Sequence, residues 1–68
     1  RERAAKEFTL RVGDRVRFDY EGQTYRGVLN RITRRASVLV PSENGVVYND
    51  GRSYLKFYVP LESLERED

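Results

Sequence analysis

Apolar and polar residues alternate strictly from Arg15 to Tyr20: Val16, Phe18 and Tyr20 fall on one side, Arg15, Arg17 and Asp19 on the other. Successive strand side chains point to opposite faces, so this segment predicts a strand with one buried face. Glu21-Gly22-Gln23 follows as a short turn, and a second, antiparallel strand is predicted from about Thr24 to Ile32. A third runs from Arg35 to Pro41. Alternation in the second strand is less clean. Val28 and Ile32 share a face with Asn30, while Tyr25 and Leu29 share the other with Gly27. A bulge or sharp coil near Gly27 reconciles the two, since glycine within a strand often marks a bend.

Asn44-Gly45 is a type I′ hairpin signal and predicts that Val46-Val47-Tyr48 folds back on the end of the third strand. Asn49-Asp50-Gly51 makes a further turn. Ser53 to Val59 is then the last long strand, with Leu55, Phe57 and Val59 facing inward. Pro60 ends it, and Leu61-Glu62-Ser63-Leu64 suits a single 3₁₀ turn. The expected core is Val12, Val16, Phe18, Val28, Ile32, Val38, Val40, Leu55, Phe57, Val59 and Leu64. Five short strands with one closing turn predict an all-β, SH3-like small barrel. An open oligonucleotide-binding barrel is the alternative, but it needs a helix between its third and fourth strands, and no segment has that pattern.

Sixty-eight residues fit one small domain. A domain of this size buries only about 60% of its unfolded surface, so the core is thin. Residues 1–7 read as a linker or the end of a preceding helix, 8–64 as the barrel, and 65–68 as an acidic tail. Phe8 to Val12 alternates along the barrel rim and offers a surface for a neighbouring domain. The chain opens on arginine, as a module cut from something longer does. Without cysteine or histidine, disulfides and the usual zinc ligands are excluded. Absent cysteine fits a reducing, cytoplasmic compartment, and no apolar run is long enough to span a bilayer.

The net charge of +2 conceals an uneven distribution. Residues 22 to 42 contain no acidic residue, while Arg26, Arg31, Arg34 and Arg35 lie among them. The last residues are acidic, with Glu62, Glu65, Glu67 and Asp68 against Arg66 alone. A tail of that charge is suited to fold over the basic face and compete with a ligand.

The run Val12-Gly13-Asp14-Arg15-Val16-Arg17-Phe18, then Tyr25 to Val38 with Gly27-Val28 and Arg31-Ile32-Thr33-Arg34-Arg35, resembles the small barrel at the C-terminus of some bacterial SprT-like proteins. Tyr58-Val59-Pro60 with Leu61 and Leu64 matches the end of the same pattern, so the resemblance covers roughly residues 12 to 64. Tudor-like and KOW-like barrels share the Gly-Asp start and the Gly-Val strand. The segment Ser42 to Arg52 is longer than in that family, and the paired histidines of the protease helix are absent. The resemblance therefore implies an accessory barrel that accompanies DNA-associated enzymes, and no catalysis. A fainter similarity is to SH3-like subunits of photosynthetic complexes, which present arginines to acidic ferredoxin.

Enzyme chemistry has little to build on. Ser37, Ser42, Ser53 and Ser63 have no histidine to act as base. Asp14, Asp19 and Glu21 read as solvated charges, and Asp50 as turn chemistry rather than a calcium ligand. No metal or other cofactor is expected. Arginine with aromatics is sharper, because guanidinium neutralises phosphate and rings stack on unpaired bases. The residues expected to bind are Arg15, Arg17, Arg26, Arg31, Arg34 and Arg35 for phosphate, Tyr25 and Tyr58 for stacking, and Lys56 beside Tyr58. The partner expected is nucleic acid, bound without sequence preference, with phosphate contacts dominant. The alternatives are docking of an acidic protein on the same face, or a purely structural domain of a larger chain. A methyl-lysine cage needs several converging aromatics. Tyr20, Tyr48 and Asp19 or Asp50 are the residues for it, but their spacing does not force convergence.

Overall fold

The computed structural model describes residues 10–67. The expectations for residues 1–7, and for the rim segment at 8 and 9, lie outside them. The described chain is all-β, with strands β1 (Arg15–Tyr20), β2 (Gln23–Ile32), β3 (Ala36–Val47), β4 (Ser53–Val59) and β5 (Glu65–Arg66). A 3₁₀ turn, Leu61–Ser63, connects the last two strands. The five strands form one antiparallel sheet in the order β4-β3-β2-β1-β5. Pairing does not close the sheet: β4 and β5 are its two edges among the described residues. No helix there is long and apolar enough to cross a membrane.

The β1–β2 turn decides which residues face inward. Tyr20 pairs with Gln23, which leaves Glu21 and Gly22 as a two-residue turn with φ of 50° and 82°. Positive φ at both positions is what a type I′ hairpin requires. Phe18 therefore faces Tyr25, and Val16 faces Gly27. Tyr25, Gly27 and Leu29 share the inner face, with Leu29 fully buried and Val28 on the outer side. A turn that included Gln23 would have shifted the register by one and turned Val28 inward, the arrangement expected from the sequence. Ile32 is likewise exposed, as are Val12 and Leu55.

The core comprises Val16, Phe18, Leu29, Ala36, Val38, Val40, Val59 and Leu64, with Leu10, Tyr25, Phe57 and Leu61 packed against it. Phe18 meets Phe57 edge-on at 5.4 Å, and Tyr25 lies 4.7 Å from Phe57. The strand irregularity expected near Gly27 lies between Leu29 and Arg31. Gly27 has a different reason to be glycine: a Cβ there would overlap the Leu39 carbonyl.

Asn44-Gly45 is not a hairpin turn. Pro41 and Val46 both oppose Tyr54, so residues 42 to 45 form a bulge and β3 continues along β4 to Val47. Gly45 is needed because the Tyr54 carbonyl occupies the space of a Cβ. The chain reverses later. Tyr48 N–H donates to the Arg52 carbonyl (2.8 Å), Gly51 N–H to the Tyr48 carbonyl (2.9 Å), and Gly51 adopts φ 82°. Val46-Val47 is thus part of β3, and the fifth strand comes from the tail. Glu65–Arg66, expected within an acidic tail, forms a strand that pairs with β1.

Candidate nucleic-acid interface

Directly opposed residues of antiparallel strands share a face, so the ladder registers map the outer surface row by row. Glu65, Arg17 and Arg26 form one row across β5, β1 and β2. Arg15, Val28, Leu39 and Lys56 form the next, across β1 to β4. Beyond the bulge in β2, Arg31, Ser37 and Tyr58 form a third. The sheet thus gathers Arg15, Arg17, Arg26, Arg31, Lys56 and Tyr58 on one face, with Arg34 and Arg35 exposed in the turn at its edge.

Tyr25 is not on that face. Its ring lies on the inner side, 5.7 Å from Phe18 and 4.7 Å from Phe57, and its hydroxyl donates to Gln23 Oε1 (2.9 Å). The turn register that buries Leu29 also turns Tyr25 away from the arginines.

The face divides electrostatically into two halves. On the β5 side, Arg17 Nη2 is ion-paired with Glu65, and Arg26 Nε–H donates to Glu67 Oε2 (3.2 Å). Glu67 Oε2 also lies 4.0 Å from Arg17 Nη1. The hydrogen bond to Glu65, then the nearby carboxylate charges, hold the Arg17 guanidinium still further above its ordinary pKa. The second oxygen of Glu67, Oε1, is buried without a hydrogen-bond partner. The acidic tail occupies this half of the face.

On the β4 side no carboxylate among the described residues neutralises the cations. Arg31, Arg35, Lys56 and Tyr58 surround a shallow concavity of about 180 Å³ whose floor includes Asn30 and Ser37. Asn30 Nδ2 donates to Ser37 Oγ (3.2 Å), and Ser37 is buried beneath the rim. The turn is braced by Thr33, whose N–H donates to the Arg35 carbonyl (2.9 Å). Among the described residues no carboxylate lines the concavity, and no ion pair uses Arg31, Arg35 or Lys56. Lys56 Nζ lies 5.9 Å above the Tyr58 ring.

Sequence reasoning missed the floor. Asn30 reaches it with Val28 because the β1–β2 turn register faces that side of β2 outward, and the irregularity after Leu29 then brings Arg31 to the same face; no residue type announces either. Asp50, read as turn chemistry, accepts from Arg52 N–H (2.9 Å) and from the Tyr54 hydroxyl (2.6 Å). No group of His, Cys, Asp and Glu among the described residues is placed to hold a metal ion. Comparison with known proteins finds no matching family model, no matching curated protein and no matching solved structure.

Proposed function

We propose that this domain is a non-enzymatic nucleic-acid-binding module, an SH3-like small barrel that serves as an accessory to a larger protein. The consecutive strand order, with a 3₁₀ turn returning the chain to the side of β1, supports the SH3-like reading. One observation carries the function: Arg31, Arg35 and Lys56 converge on a concavity that no described carboxylate lines, beside an exposed Tyr58. Small-molecule pockets usually enclose about 300–1,000 Å³, so this depression is suited to surface contact with a polymer. Cations that neutralise phosphates release condensed counterions, which supplies affinity without reading sequence. Arg15 and Arg34 extend the contact; Arg17 and Arg26 contribute less while Glu65 and Glu67 hold them.

The test is fluorescence anisotropy with labelled random-sequence oligonucleotides at low salt. Binding should weaken steeply with salt, and a combined R31A/R35A/K56A variant should lower the logarithmic salt slope by about 2 on single strands. Absence of binding to every oligonucleotide rejects the reading. Equal binding of polyglutamate would instead favour docking to an acidic protein.

A further inference from the structure

We infer that the concavity between Arg31 and Tyr58 is a nucleotide site for single strands: one unpaired base stacks on the Tyr58 ring while its phosphates meet Arg31, Arg35 and Lys56. This rests on the nucleic-acid reading above and narrows it to a ligand class.

The tyrosines themselves point to Tyr58. Of the five in the chain, Tyr20 and Tyr25 pack on Phe57, while Tyr48 and Tyr54 pack on each other. Each of those rings has an intramolecular partner that accounts for its position. Tyr58 is 61% exposed, and among the described residues no aromatic ring packs on it, while the Lys56 ammonium lies over its face. At 5.9 Å that ammonium stands near the outer limit of cation–π attraction. Little is lost when a base takes its place and the flexible lysine swings to a phosphate.

The surroundings suit a nucleotide better than a bare phosphate chain. A ring offers stacking to any unpaired base, whereas paired bases inside a duplex keep their faces covered by neighbours. Asn30 and Ser37 give the floor amide and hydroxyl groups that match base or sugar polar atoms. Tyr58 and Lys56 lie on β4, an edge strand. A nucleic-acid strand can therefore run past them without meeting a further strand of the sheet among the described residues.

Three probes of equal length separate the possibilities: a single strand, the same strand as duplex, and a single strand with abasic sites. Binding by the intact domain should rank the single strand above both others. Tyr58→Ala should weaken single-strand binding about 5- to 150-fold, the range expected for one lost base–aromatic stack. The same change should leave duplex and abasic binding nearly unmoved, and Tyr58→Phe should retain single-strand affinity. The Tyr58→Ala melting midpoint serves as the folding control, since the ring is outside the core. Abasic and ordinary strands binding equally, or Tyr58→Ala binding the single strand like the parent, would overturn the inference while leaving phosphate binding intact. Failure of all three probes would instead remove the nucleic-acid reading itself.

Discussion

Glu65 sits opposite Arg17 in the β1–β5 ladder, and its carboxylate is ion-paired with the Arg17 guanidinium on the outer face of the sheet. Two residues on, Glu67 bonds Arg26 with one oxygen and leaves the other without a partner. These carboxylates stand where phosphates would meet the same arginines. Their hold is weak, because exposed pairs contribute only about 0.2–1 kcal/mol each. The double variant E65Q/E67Q should therefore bind oligonucleotides more tightly. Its logarithmic salt slope should be steeper by up to about 1.4 on single strands, as two more phosphates become accessible. Unchanged affinity and slope, measured by anisotropy across salt, would show that the tail does not compete.

The inward register of β2 is tested by neighbouring apolar residues. Leu29 is fully buried in the core, whereas Val28 is half-buried on the outer face. Leu29→Ala should cost about 2–5 kcal/mol, enough to unfold much of so small a domain. Val28→Ala should cost under about 1 kcal/mol, consistent with a partly solvated side chain. Urea titrations of both variants decide the matter. Reversal of the order would mean that the faces are assigned the wrong way round.

That pair also shows how much of the fold the sequence carried. The bounds of β1 and β4, the 3₁₀ turn and the Phe18–Phe57 contact all follow from alternation and from Pro60. The register of β2 does not. It depends on whether Gln23 belongs to the turn or to the strand, and a single residue exchanges Tyr25 and Leu29 with Arg26 and Val28. The arginine-rich face was legible because Arg15 and Arg17 alternate with core residues and Lys56 and Tyr58 flank Phe57. Which arginines are neutralised was not. The ladder that brings Glu65 to Arg17 joins positions far apart in the chain, and two strand residues carry little pattern of their own.

Gly45 tests the bulge in β3. A methyl group there meets the Tyr54 backbone carbonyl, and backbone cannot move aside as a flexible side chain does. Gly45→Ala should destabilise by about 1–3 kcal/mol, the usual range for overpacking. Asn44→Ala should change stability by less than about 0.5 kcal/mol, since Asn44 is exposed and is not in a turn. A type I′ hairpin at these positions would make Asn44 matter as well. Thermal melts of the two variants distinguish the arrangements.

The β3–β4 hairpin should respond to pH at both extremes through one hydrogen bond. The Tyr54 hydroxyl donates to Asp50 Oδ2 (2.6 Å). That bond, followed by the Arg52 N–H, lowers the Asp50 carboxyl below its ordinary 3.8. The same bond is the main cause that raises the Tyr54 hydroxyl above its ordinary 10.0. A depressed carboxyl stabilises the fold above its unfolded pKa, and the contribution is lost as pH falls through the folded value. A raised phenol stabilises below its unfolded pKa, and the contribution is lost as pH rises through the folded value. Tyr54→Phe removes the hydroxyl, and with it the phenol's linkage and the larger cause of Asp50's, leaving only the share from the Arg52 N–H. The difference in melting midpoint between parent and Tyr54→Phe should therefore stay constant between about pH 5 and 9. It should shrink once the solution is acidic enough to protonate Asp50, and again once it is alkaline enough to ionise Tyr54. A difference that remained flat across both limits would show that Asp50 and Tyr54 are not coupled in solution.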